Sequence, residues 1–129
     1  MMNANELRIN NWVEYEGRYF QLYAIDANMP FLNTAEFGVG VVDYNNIFPI
    51  PLSPEILEKC GFVWSIYHQA FHKHNDGHET YDLNECYPSG YQFSTFKKQT
   101  LIGIPVQSLH QLQNLYFSLC GEELTITSK

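Results

Sequence analysis

Basic residues are scarce in this chain. Seven lysines and arginines stand against fourteen aspartates and glutamates, a net charge of −7 over 129 residues. That balance works against docking on a phosphate backbone, where lysine and arginine displace counterions. Duplex nucleic acid is therefore not the expected partner, and the acidic residues are too dispersed to suggest a nucleic-acid mimic. Cysteine is equally sparse. Cys60, Cys86 and Cys120 lie far apart, without a C-x-x-C or zinc-finger spacing, so reduced core thiols and a cytoplasmic protein are expected. No stretch approaches the roughly 20 apolar residues of a spanning helix, and the N-terminus carries no apolar run of signal length, so no membrane association is expected. Linkers rich in Pro, Gly or Ser are missing too. With 45% apolar and 16% aromatic residues, the chain reads as one α+β domain over 1–129, a β-rich half at 1–52 followed by a half at 53–129.

Catalytic signatures are also missing. There is no G-x-S-x-G elbow, no phosphate-cradling G-x-x-x-x-G-K-[ST], no G-x-G-x-x-G and no H-E-x-x-H, so nothing assembles a nucleophile, a base and an oxyanion donor. Gly38-Val39-Gly40 fits a closely packed strand better than a phosphate loop. Cys60 falls on the apolar side of a helix, and Cys86 has no readable base beside it. No catalytic residue and no resident cofactor are expected.

Two helices are written out with their ends. Ser53-Pro54-Glu55 supplies an N-cap, a proline preset for the first helical position and an acid at the positive end of the dipole. Ile56, Leu57 and Cys60 make its buried side, and Gly61-Phe62 suits a Schellman ending. Ser108 with Gln111 forms an S-x-x-Q capping box. Leu109, Leu112, Leu115, Tyr116 and Leu119 form a stripe that needs a sheet to cover, and Gly121 stops the helix. Leu124 to Thr127 alternates like a short strand.

The remainder is β-rich. Trp12 to Tyr15 and Arg18 to Ile25 flank Glu16-Gly17, a tight hairpin turn. Asn28 to Glu36 reads as a loop, and Phe37 to Tyr44 with Ile47 to Ile50 reads as a second hairpin around Asn45-Asn46. These strands either curl into a small SH3-like barrel or stay an open meander. Tyr67 to Leu83 reads as a hairpin around Asn75-Asp76-Gly77. Tyr91 to Phe96 and Thr100 to Ile104 flank Lys97-Lys98.

One hairpin has chemical potential. His68, His72, His74 and His78 surround its turn, and the register decides which of them meet. A two-residue turn pairs Phe71 with Asp82 and mixes polar and apolar groups on both faces. A three-residue loop with Gly77 in a left-handed bulge pairs Phe71 with Tyr81 and sorts the faces cleanly, so that register is expected. It gathers His72, His74, His78 and Asp82, a set suited to zinc, nickel or copper. The same histidines also serve as ordinary polar strand residues.

Three blocks carry a resemblance. ELRINNWVEYEG at 6–17, PIPLSPEILEKCGF at 49–62 and LHQLQNLYFSLCGEELTI at 109–126 resemble a family of small phage and prophage proteins of Bacteroidetes. The resemblance brings no activity with it. It implies a setting, the bacterial cytoplasm during phage carriage or infection. Together with the missing enzyme motifs and the many aromatics, it points to a non-enzymatic binding protein that captures a host defence protein or a signalling nucleotide. Trp12, Tyr15, Tyr44, Trp64 and Tyr87 are the candidate ligand or partner contacts. A small chain would make its pocket between subunits, so a homodimer is expected. The alternatives are a nucleic-acid module on the SH3-like half, assisted by Arg18, Lys97 and Lys98, and a metal-binding protein using the histidine hairpin.

Overall fold

The computed structural model describes residues 6–25, 30–34, 38–41, 43–67, 69–73, 82–85, 90–94 and 101–126. It is an α+β protein built on two antiparallel sheets and one main C-terminal helix. The chain groups into two compact units, Met1–Pro51 with Ser108–Asn114, and Leu52–Gln107 with Leu115–Lys129.

In the first unit, strands β1 (Trp12–Tyr15) and β2 (Arg18–Ile25) are joined by Glu16-Gly17. Both turn residues have positive φ, 49° and 76°, as a two-residue type I′ turn requires. Strand β3 (Pro30–Thr34) occupies ground expected to be loop. Pro30 is tolerated because it opens the strand, opposite Ile25 and beyond a bulge in β2, where its missing N–H interrupts little of the ladder. Strand β4 (Gly38–Val41) pairs with β3. After a 3₁₀ turn at Tyr44–Asn46, β5 (Ile47–Phe48) pairs with β1. The second hairpin expected around Asn45-Asn46 is thus replaced by a return to the first strand. The order is β4-β3-β2-β1-β5, and no pairing among the described residues closes β4 onto β5. Leu7, Val13, Leu22, Leu32 and Ile47 form the core on one face.

In the second unit, α1 (Pro54–Lys59) is capped by Ser53, whose hydroxyl accepts from the Ile56 N–H at 3.2 Å. It ends in a full Schellman motif. The Phe62 N–H donates to the Leu57 carbonyl, the Gly61 N–H donates to that of Glu58, and Gly61 takes φ 94°. The sheet follows in the order β10-β9-β8-β7-β6, from β6 (Val63–Ser65), β7 (Ala70–His72), β8 (Asp82–Glu85), β9 (Tyr91–Ser94) and β10 (Leu101–Val106). Phe71, Leu83, Phe93 and Ile102 form a row across β7 to β10. Phe62 packs against Phe93 in this row and against Tyr116.

Helix α2 (Leu109–Cys120) contributes to both units. Its buried apolar positions are Leu109, Leu112, Tyr116 and Cys120, whereas Leu115 and Leu119 are half-buried. The Gly121 N–H donates to the Phe117 carbonyl with Gly121 at φ 72°, a left-handed cap. The short strand expected from Leu124 does not form over 124–126. Leu124 is buried as a single anchor, and alternation by burial imitates the period of a strand.

Candidate functional site

Three arrangements of side chains bear on function, and each lies within one unit. The first is the histidine hairpin. The expected register is wrong by two residues, because Phe71 lies opposite Leu83 and His72 opposite Asp82. A two-residue shift keeps every side chain on its face, so His72 and Asp82 still share one. His68, His74, His78, Tyr81 and the turn with Gly77 lie outside the described residues. Among the described residues no three metal-ligating side chains come together. His72 Nδ1 is 2.9 Å from Asp82 Oδ1, with Asp82 buried and His72 partly exposed. The carboxylate accepts, so Nδ1 carries a proton. Asp82 therefore orients His72, as carboxylates behind metal-binding or basic histidines do.

Ser94 extends this row, since it lies opposite Asp82 on β9. Serine, histidine and aspartate on neighbouring strands invite a triad reading, but the order excludes it. In a triad histidine stands between the other two. Here Asp82 is in the middle, and Ser94 is two strand spacings, about 10 Å, from the His72 strand. The Ser94 hydroxyl instead accepts from Asn84 at 2.7 Å.

The second arrangement joins the N-terminal segment to α2. His110 Nδ1 lies 3.0 Å from Ser108 Oγ, and its Nε2 lies 3.2 Å from Glu6 Oε1. With Glu6 accepting from Nε2–H, Ser108 donates to Nδ1. The hydroxyl expected to cap the helix is thus used by a ring, while Gln111 Oε1 still accepts from the Ser108 N–H at 3.3 Å. The Ser–His–acid order is that of a serine hydrolase, with the two ring nitrogens exchanged and the exposure inverted. Ser108 and His110 are buried, and the carboxylate of Glu6 is 50% exposed, so a substrate would meet the acid and not the nucleophile. It is a clasp. Further along, Gln113 Oε1 accepts from the Trp12 N–H at 2.9 Å, and its Nε2 donates to the Asn10 carbonyl at 3.1 Å. Asn114 Oδ1 accepts from Arg8 and Asn11, both at 2.9 Å.

Burial holds the His110 pKa below the usual histidine value, outweighing the hydrogen bond and charge of Glu6, which act in the opposite direction. A depressed folded-state pKa means that the unfolded chain binds the proton more readily. The stability contribution is complete above about pH 6.5 and is lost as the pH falls below that value toward the folded pKa. Urea unfolding midpoints are therefore expected to fall between pH 7.5 and pH 5, and the fall should be smaller in His110→Gln. An equal fall in both proteins would remove His110 as its source.

Buried thiols add no nucleophile. Burial pushes Cys60 up to about 12 despite the nearby Lys73, leaving negligible thiolate at neutral pH. Cys120 is buried, and Cys86 lies outside the described residues.

The third arrangement is the outward face of the first sheet. Phe48, Glu14 and Tyr19 form a row across β5, β1 and β2, and Trp12 and Gln21 form the next row. Phe48 and Tyr19 are 46 and 47% exposed, and Tyr23 beyond them is exposed as well. Cross-strand neighbours have Cβ atoms about 4.5–5.5 Å apart, so the Glu14 carboxylate stands between two half-open rings. Among the described residues it has no ion-pair or hydrogen-bond partner.

The structure separates the five aromatic candidates. Trp12 joins this face, half-buried. Tyr15 and Tyr44 are partly buried and pack against the core of the first unit. Trp64 is exposed in the second unit, and Tyr87 lies outside the described residues. Tyr19, Tyr23 and Phe48 complete the face in their place. The signal for Tyr19 and Tyr23 was in the turn, because counting outward from Glu16-Gly17 sends Val13, Tyr15, Phe20 and Leu22 one way and Trp12, Glu14, Tyr19 and Gln21 the other. Among the described residues no helix is long and apolar enough to cross a membrane. The chain matches no protein-family model, no curated protein and no solved structure.

Proposed function

We propose that the chain is a non-enzymatic binding protein that captures a protein segment on the outward face of its first sheet. The observation that carries this reading is the row Phe48, Glu14 and Tyr19, a carboxylate without an ion-pair partner among the described residues and flanked by half-exposed aromatic rings. A lysine or arginine of the partner suits this row, since its cation can lie over a ring face while the carboxylate balances its charge. The net charge of −7 draws such a partner in. A nucleotide fits less well, because its phosphates would meet Glu14 in a chain already rich in acid. In the phage setting that the resemblance implies, the partner is a host protein of the bacterial cytoplasm, and capture serves to blunt a defence.

The test is an NMR titration of the full chain with a lysine- and arginine-rich peptide, an acidic peptide of equal length and a mononucleotide. Shifts confined to the amides of Trp12, Glu14, Tyr19, Gln21 and Phe48 are expected with the basic peptide alone. Glu14→Gln should weaken it about tenfold, equivalent to about 1.4 kcal/mol. Binding of the mononucleotide on this face, or an unchanged affinity in Glu14→Gln, would refute the reading.

A further inference from the structure

The second unit carries an exposed apolar segment that the first sheet does not account for. Val63, Trp64, Ile66 and Tyr67 fall within five consecutive residues and are 59, 58, 86 and 69% exposed. Val63 and Trp64 point to opposite faces of β6, and Ile66 and Tyr67 stand in the turn between β6 and β7, which is closed by a bond from the Gln69 N–H to the Ser65 carbonyl. Strand β6 is an edge of its sheet, and an edge presents a row of backbone groups to whatever strand comes alongside.

Proteins ordinarily protect such edges with charge, proline or a bulge. The opposite edge of this sheet follows the rule, since β10 contains Pro105 and its register with β9 is irregular between Ile102 and Val106. Strand β6 has none of these. No aspartate, glutamate, lysine or arginine occurs from Cys60 to His72, and no proline.

We infer that β6 pairs with the same strand of a second copy of the chain, antiparallel about a two-fold axis at Trp64. Charge sets where a second copy can approach. Two copies at −7 each repel, and residues 60–72, which carry no acidic residue, lysine or arginine, are where that repulsion is least. The strand is also complementary to itself, because pairing about Trp64 sets the two indoles side by side and places Val63 opposite Ser65 of the other copy, an isologous contact. Four large side chains with more than half of their surface open offer on the order of 500 Å² per copy, so a pair buries at most about 1,000 Å², near the lower limit for a specific interface. This inference does not rest on the proposed function, which uses the other unit.

The test is sedimentation velocity of the full chain from 1 to 200 µM, with Trp64→Glu/Ile66→Asp as the variant and circular dichroism to verify its fold. A dimer is expected in the wild type, with a dissociation constant at least tenfold higher in the variant. A wild type that remains monomeric at 200 µM, or a dimer that the variant leaves unchanged, would overturn the inference. Should the variant not fold, Trp64→Cys decides. A two-fold axis at residue 64 brings the two cysteines within disulfide reach, so mild oxidation should yield a covalent dimer, and none forms if the strands do not pair there. Basic-peptide binding by the first sheet should persist in the folded variant.

Discussion

Replacing Phe62 by alanine is expected to lower the unfolding free energy by about 3–5 kcal/mol, the range for removing a buried aromatic and leaving its cavity. Phe62 is 1% exposed. Its ring centroid lies 6.5 Å from that of Phe93, on β9 of the second sheet, and 6.5 Å from that of Tyr116 on α2, which it meets edge-on at 80°. One side chain thus joins a helix end, a sheet and a second helix. Its position follows from the Schellman motif, because the left-handed Gly61 turns the chain so that the next residue faces back toward the core. Guanidinium melts at an unchanged slope should report the loss. A change below about 1 kcal/mol would place the ring outside the core of this unit.

The second large effect is polar. Gln113→Leu keeps much of the side-chain volume and removes both hydrogen-bonding ends, leaving the Trp12 N–H without its partner and the Asn10 carbonyl with Gln21 Nε2 alone, which donates to it at 3.0 Å. An abandoned buried group costs about 1–3 kcal/mol, so a loss of about 1–3 kcal/mol is expected. Gln113 is 1% exposed, which leaves little room for water to substitute. Gln113→Leu with wild-type stability would show that the clasp contributes little. The same melts read both variants.

The ends of both helices were legible because capping is local. Ser53, Gly61 and Gly121 each act within a few residues, and the sequence displays their partners alongside. The Glu16-Gly17 turn was legible for the same reason. Pairing between distant segments was not. Ile47 and Phe48 follow β4 closely yet return to β1, and nothing in Asn45-Asn46 distinguishes a hairpin from a crossover. Strand β3 was hidden by Pro30, Asn33 and Thr34, which are turn formers by propensity but are tolerated where the neighbouring strand supplies the ladder. The histidine hairpin kept its faces and lost its register, as expected when parity is set by burial and slip by the loop.

The clasp was the hardest part to read. A helix with His110, Gln113 and Asn114 beside its apolar stripe looks solvated on that side, because amides at exposed positions are commonplace. Here they are covered by residues 6–12, most of which precede β1 and several of which take partners from helix side chains. The aromatic face was legible in part. Its residue types were visible, while the choice between Trp12 and Tyr15 depended on strand parity. Phe48 depended on a pairing that the local sequence does not state.

The clasp also sets an order of events at the ribosome. Its hydrogen bonds join residues 101 to 108 positions apart, from Trp12 with Gln113 to Glu6 with Asn114. At roughly 5–20 residues per second, the first strands leave the tunnel some 5–20 s before the helix that completes their unit has been made. Until then the Trp12 N–H and the Asn11 side-chain amide lack the acceptors that the helix gives them, and the first unit is the earlier to be started and among the last parts to be finished.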